Sequence, residues 1–484
     1  MLFNSIEFAI FLPIVFILYW FAANKNLKLQ NLLLLISSYY FYAFWDWRFL
    51  FLLFFISFFS YSIGLLIQKG DTKERKKLWL ITGIAANVIV LAFFKYFNFF
   101  VDSFIDFFST IGITLQSPAL EIILPIGISF YIFLSLSYII DVYWEKLKAN
   151  NNIIEVLLTL SFFPIILAGP IQRPISLIPQ IQKKRTFNYD QASDGLRQIL
   201  WGLFKKIVIA DNAAVHANSI FNNYESLDGS MLLLGAVYFA FQIYGDFSGY
   251  SDIAIGTARL LGFDLMRNFA YPYFSKSIAD FWRNWHISLS TWLNTYLFLP
   301  LSYSLTRKLS RKKYFGIRSD KLIYSIAITI TFLLCGLWHG ANWTFVIWGL
   351  LYAFYLIFAL FTKNVRKKIK KKFHLERIPF LSILVTFTLT TFGWIFFRAD
   401  NLAQAFGYIE RLFSTSLFSL PERSRTIYMI IILIIVEWLQ RKKQHGLEID
   451  DIKFTVLRWV IYYLVILVIL NFGGSQQEFI YFQF

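Results

Sequence analysis

The side chains best able to do chemistry lie in LCGLWHGANW (residues 334–343), where His339 sits between 331–338 and 344–361, two stretches without a charged residue. Imidazole exchanges a proton near neutral pH more readily than any other side chain, and placing it among apolar residues is costly. It is either a helix-end histidine satisfied by a neighbouring carbonyl or a general base or acyl relay inside a membrane. Cys335 precedes it by four residues and shares its helical face, the spacing of a Cys–His nucleophile pair. A small buried packing residue is the preferred reading of that thiol. A second histidine, His286, stands in FWRNWHISLSTW (281–292) beside Arg283, Asn284 and Trp285. Two histidines in distant motifs make no metal site without a third ligand at suitable spacing, so no metal is expected. Asp246 and Asp252, six apart, do not share one helix face, which argues against a two-carboxylate acid/base site. Each is expected to accept hydrogen bonds from buried Ser, Tyr or Arg.

The elements that position these residues must be membrane helices. Of 484 residues, 57% are hydrophobic, 20% aromatic and only 15% charged, too little polar surface to coat a soluble globule of this size. The single cysteine excludes an intramolecular disulfide framework. A net charge of +17 could suggest nucleic acid, but 28 of the 46 Lys and Arg fall in five loops, 69–77, 173–185, 307–321, 363–377 and 441–453. That clustering describes cytoplasmic loops facing anionic headgroups, with the lipid bilayer and not nucleic acid as partner. Segments 101–121, 211–230 and 473–484 hold no Lys or Arg and seven acidic residues, and fit the outer side.

Apolar stretches suited to spanning occur at 6–23, 31–44, 49–67, 78–100, 122–140, 231–250, 322–338, 343–361, 378–397, 427–439 and 454–472. The first has Glu7 at its start and Lys25 and Lys28 after it, which predicts an uncleaved helix with its N-terminus outside. The C-terminus is expected outside as well. Residues 153–168 are too short to span and predict a re-entrant or half helix. Residues 195–210 carry Arg197, Lys205 and Lys206 and predict a helix with a polar face, spanning or interfacial. The stretch 245–304 mixes ionisable residues with aromatics and is expected to be protein-buried at membrane depth as a re-entrant polar region. The fold class is an all-α polytopic membrane protein of about 10–12 transmembrane helices plus re-entrant or interfacial helices, forming one domain over 1–484.

Six motifs then carry a resemblance. ILPIGISFYIFLSLSYIIDVYW (123–144), LAGPIQRP (167–174), FQIYGDFSGYSDIAIG (241–256), FWRNWHISLSTW (281–292), GLWHGANW (336–343) and FGWIFFRA (392–399) resemble, in order and spacing, the membrane-bound O-acyltransferase family. The nearest likeness is to its bacterial alginate O-acetylation branch, whose ending FIYFQF (479–484) is similar too. The resemblance implies helices around a central funnel and acyl transfer from a cytoplasmic thioester, acetyl-CoA as co-substrate, to a hydroxyl acceptor. The acceptor implied is an exopolysaccharide or cell-wall glycan, reached directly or through an exported acetyltransferase partner, and the implied location is the bacterial cytoplasmic (inner) membrane. No bound cofactor is implied. By position His339 matches the family's catalytic histidine and His286 the second histidine motif. Asp246, Asp252, Arg283, Asn284, Trp338 and Asn342 then become candidates for substrate or donor binding or structural support. One departure leaves the acceptor open: after LSTW the chain reads LNTYLFLPLSYS (293–304) where the alginate-type pattern has an Arg-Asp pair and a Gly-Gly ending. The alternative classes are a transporter or flippase for a lipid-linked glycan, or a scaffold of a polysaccharide synthesis complex.

Overall fold

The computed structural model of the chain describes residues 1–115, 122–419 and 424–480. Part of the expected outer segment 101–121 and the last four residues of FIYFQF lie outside the described residues. Apart from one two-stranded hairpin, all regular structure among the described residues is helical, the all-α polytopic architecture expected of so apolar a chain. Seven helices are long and apolar enough to cross a membrane, and Ile6–Ala22 and Ile128–Tyr143 are shorter apolar helices. Backbone contacts gather the chain into two compact units: Met1–Ile199 with Tyr250–Met266, and Leu200–Gly249 with Arg267–Phe484.

The first unit begins with α1 (Ile6–Ile17), α2 (Leu27–Ala43), α3 (Arg48–Lys69), α4 (Lys73–Thr110) and α5 (Ile128–Tyr143). Nearly every residue of α5 is buried, and its start depends on Gly127 at φ +76°, where an added Cβ would lie 2.3 Å from the carbonyl oxygen of Ile166. No side chain fits there, which is why ILPIGISFY carries that glycine. The stretch 153–168 forms two short buried helices, α6 (Ile153–Ser161) and α7 (Phe163–Ile166), broken at Phe162, so it is helical without the length to span. α8 (Pro174–Gln182) follows, and the basic loop 173–185 ends on an arginine that turns inward. Arg185 is buried, donates to Asn31 Oδ1 (2.6 Å) and the Ile181 carbonyl (3.1 Å), and lies over the ring of Phe263. A guanidinium supplied with this many acceptors and an aromatic face tolerates burial.

α9 (Tyr189–Leu203), a π-helical turn Phe204–Ala210 and α10 (Asp211–Asn222) run on without interruption. The segment expected to carry a polar face does so toward protein: Lys205 and Lys206 are 3% and 2% exposed. α11 (Gly229–Leu260) is 32 residues long. Residues 245–260, anticipated as the start of a re-entrant region, are its second half, and irregular backbone, partly buried and exposed at Asp264, begins only at Leu261. Within the second unit Lys206 Nζ lies 2.8 Å from both Asp211 Oδ1 and Asp246 Oδ1 and donates to the Gln477 carbonyl, while Asp246 Oδ2 accepts from the Ile480 amide (2.7 Å). Lys205 Nζ donates to Ser248 Oγ (2.9 Å). One cation thus joins α10, α11 and the C-terminal segment.

The second unit continues with α12 (Ile278–Asn284), α13 (Ile287–Leu293), a π-helical turn Asn294–Phe298 and α14 (Leu299–Lys308). Strands β1 (Lys313–Tyr314) and β2 (Ile317–Arg318) pair antiparallel around Phe315 and Gly316, both at positive φ, a two-residue turn of the primed type. α15 (Ser319–His339), α16 (Trp343–Phe361), α17 (Lys363–Lys372), α18 (Pro379–Arg398), α19 (Leu402–Ser414), α20 (Arg425–Leu439) and α21 (Thr455–Phe472) complete it. The buried Lys206 network yields a direct test. Lys206→Met leaves two buried carboxylates without their cation and should destabilise the protein by about 3–5 kcal/mol. Thermal unfolding in detergent should show this as a lower midpoint, and adding Asp246→Asn should recover part of it; an unchanged midpoint for Lys206→Met would contradict the assignment.

Candidate functional site

His339 is the last residue of α15, where helix geometry stops at Gly340 in extended conformation. The chain returns at once because Asn342 caps α16, its side chain accepting from the Thr344 amide (3.0 Å) and donating to the Asp400 carbonyl (2.7 Å). α15 and α16 meet along glycines. A Cβ on Gly336 would lie 2.2 Å from the Phe345 carbonyl oxygen, and one on Gly349 would lie 2.2 Å from that of Phe332. The two backbones therefore touch, as small residues allow between membrane helices. This contact seats the His339 ring in an aromatic cage: Trp338 at 4.8 Å between centroids, Trp348 at 5.0 Å and nearly perpendicular, and Phe397 of α18 at 5.2 Å. Phe397 and Trp394 come from FGWIFFRA, whose Gly393 packs against Tyr352.

His286 occupies the break between α12 and α13, fully buried and at φ +42°. A left-handed conformation is uncommon for a residue with a side chain and persists only where surroundings impose it. Asn268 supplies that constraint. Its backbone carbonyl accepts from the Ile287 amide (2.9 Å), and its Oδ1 accepts from Ser288 Oγ (2.8 Å) and the Ser288 amide (3.3 Å) while lying 3.1 Å from His286 Nδ1. Because an amide N–H can only donate, the Ser288 contact identifies that Asn268 atom as oxygen, so His286 Nδ1 carries the proton and Nε2 is the basic nitrogen. Burial also pushes the His286 imidazole well below its usual pKa, favouring the neutral ring. Phe247 packs edge-on at 4.5 Å.

The two histidine motifs meet at one indole: Trp338 lies 6.0 Å from the His286 ring and 4.8 Å from that of His339. The other candidates separate from this pair. Asp246 belongs to the Lys206 network. Asp252, in the first unit, accepts from Gln198 Nε2 (2.8 Å). Arg283 is exposed. Asn284 is half-buried, donating to Ser275 Oγ (3.1 Å) and the Asp280 carbonyl (3.0 Å) while its own carbonyl accepts from Ala270. It holds the loop preceding His286 in shape. Cys335 is buried and lines a cavity of about 240 Å³ with Trp282, Ser290, Asn294 and Thr331. Asn268 escaped the sequence reading, since it lies 18 residues from His286 with no periodic relation to it. Trp348 was also missed, inside a uniformly apolar helix; its Nε1, like Trp282 Nε1 and Thr344 Oγ1, is buried with no hydrogen-bond partner among the described residues. No group of three or more His, Cys, Asp or Glu able to hold a metal occurs among the described residues.

The glycine contact predicts that Gly336→Ala and Gly349→Ala each overpack one interface and cost about 1–3 kcal/mol. Each should lower the thermal midpoint, and the double variant should fall short of the sum because both changes push the same helices apart. Additive losses would mean that the two glycines act independently.

The model of the membrane-bound O-acyltransferase family matches residues 34–399. The probable alginate O-acetylase AlgI of Pseudomonas aeruginosa is 39% identical over 429 residues, covering 88% of this chain and 77% of that protein. The peptidoglycan O-acetyltransferase of Helicobacter pylori is 32% identical over the whole chain and 98% of its own length. A teichoic acid D-alanyltransferase of Bacillus subtilis is 29% identical over 286 residues, 58% of this chain and 70% of that protein.

Proposed function

Because the chain belongs to the membrane-bound O-acyltransferase family, we propose that it transfers acetyl groups from a cytoplasmic thioester, acetyl-CoA, to hydroxyls of an exopolysaccharide or cell-wall glycan, directly or by way of an exported acetyltransferase partner. It works as a multi-pass protein of the bacterial cytoplasmic membrane, with both termini outside and the chain serving as a single membrane-embedded acyltransferase. Family membership displaces the flippase and scaffold readings, and relatives named for alginate and peptidoglycan support a glycan acceptor.

The observation that carries the mechanism is the meeting of both histidines at Trp338. His339 acts as general base: its neutral ring removes the proton of the acceptor hydroxyl as that oxygen bonds to the thioester carbonyl carbon. The tetrahedral intermediate collapses with loss of the C–S bond, and the thiolate takes the proton back from the imidazolium, so the reaction consumes none. Proton transfer of this kind contributes about 100- to 10,000-fold. Trp348 Nε1, a buried donor on a ring packed against His339 with its capacity unused among the described residues, supports stabilisation of the developing oxyanion. His286, held neutral, orients the donor. The cavity beside Cys335, one helical turn from His339, has room for a small acyl group. Asp246, Asn284 and Asn342, all in the second unit, support the site from a distance through the hydrogen bonds and ion pairs they make.

His339→Ala should abolish glycan acetylation at normal membrane abundance, measured as ester-linked acetate on envelope and secreted glycans. His339→Gln, which hydrogen-bonds without acting as a base, should do no better; recovery of most activity by Gln would make the histidine an orienting group. Cys335→Ser should keep substantial transfer, since the thiol has no covalent role. Complete loss in a well-folded Ser variant, or an acyl-cysteine trapped on the protein, would overturn that.

A further inference from the structure

α15 and α16 form an antiparallel pair, so the residues before α15 and those after α16 lie at one end of it, and Lys321 Nζ sits 4.9 Å over the ring of Phe361 there. His339 is at the opposite end, about 30 Å away at 1.5 Å per residue. Two features project from the end distant from His339. The first is α17, whose sequence KNVRKKIKKK holds seven cations and no acid. It has no buried residue, and it joins two membrane-long helices, α16 and α18, through short connections, which keep it close to the bilayer surface. Its apolar residues are not scattered: Val365, Ile369 and the following Phe373 recur every four positions, occupy one side, and are 58%, 45% and 61% exposed. The second is the β1–β2 turn, where Phe315 is 99% exposed between Arg311, Lys312 and Lys313 on one side and Arg318 on the other.

We infer that α17 and the Phe315 turn form one docking face for the anionic leaflet of the bilayer, with Val365, Ile369, Phe373 and Phe315 dipping below the headgroups and the lysines and arginines paired with lipid phosphates. A helix that joins two spanning segments, with a narrow apolar stripe and a remainder that is cationic except for Asn364, has the chemistry of an interfacial helix. Charge selects the lipid, because each Lys or Arg near an anionic surface adds roughly a fivefold preference. A soluble protein partner would have to insert between the stripe and the surface to which the helix is already tethered at both ends. The face extends the protein's hold on its membrane beyond the spanning helices and is independent of the acyltransfer reading.

The test uses the full chain carrying Cys335→Ser, reconstituted in vesicles, with single labelling cysteines introduced by Ile369→Cys, Phe315→Cys or Lys367→Cys. In vesicles one-third phosphatidylglycerol, labels at 369 and 315 should be quenched by nitroxide on lipid acyl chains and shielded from aqueous iodide, and the label at 367 should show the reverse. With Lys367→Gln, Lys368→Gln and Lys371→Gln together the bound state of α17 should weaken by up to roughly a hundredfold, and in phosphatidylcholine alone by more, each read as recovered iodide access at 369. Iodide access at 369 equal to that at 367 in anionic vesicles would overturn the proposal and assign the cations to a soluble acidic partner. Shielding that is the same with and without phosphatidylglycerol would overturn it too, since the stripe would then be held without its charges.

Discussion

Much of the second unit depends on one buried ammonium group. Lys206 is 2% exposed and would be untenable alone in a low-dielectric interior, yet it meets two carboxylates and a carbonyl. The arrangement needs the π-helical turn Phe204–Ala210, whose wider turn shifts the register of the residues following α9, and both lysines of that turn are buried. It also needs the C-terminal segment, since Asp246 is completed by the Ile480 amide. Charge satisfaction thus ties together parts of the chain more than 230 residues apart. Glu437 on α20, which accepts from Tyr244 of α11 at 2.7 Å, follows the same rule.

The candidate site obeys a different constraint, close packing around rings. Backbone contact at Gly336 and Gly349 brings α15 against α16 so closely that the aromatic residues beyond the glycines have one way to pack, and His339 is placed by that packing among Trp338, Trp348 and Phe397. His286 is placed instead by hydrogen bonds, through an asparagine that fixes both its strained backbone and its tautomer. One imidazole is thus held by shape and the other by polar contacts within one aromatic cluster.

Relatives named for alginate, peptidoglycan and teichoic acid differ in acceptor, and their similarity to this chain extends over differing shares of its length. Acyl transfer from a thioester needs an activated hydroxyl and a place for developing negative charge, requirements that do not depend on the sugar. The departure at 293–304 falls on the π-helical turn Asn294–Phe298 and α14, immediately after the helix that His286 caps. Leu293, Asn294 and Phe298 from this stretch line the cavity beside Cys335, so variation there changes the wall of that cavity.

Composition alone determined the membrane class, because a chain with 57% hydrophobic residues has no other way to hide its surface, and the loop charges follow from the same argument. The two histidines were legible as candidates because imidazole is conspicuous in apolar sequence and because both lie in motifs of a recognisable family. Spacing argued against pairing Asp246 with Asp252, since six residues do not repeat on a helix face. Their partners were not legible: Lys206, Gln198 and the Ile480 amide are distant in the chain, and no local pattern encodes such pairings. Nor could the sequence show that Arg185 turns inward from a basic loop, or that 245–260 continues α11; a charge reads the same whether it meets water or a buried acceptor. The meeting of His286 and His339 at Trp338 was decided by tertiary structure alone, because it requires the glycine contact between two helices and the Asn268 clamp at once.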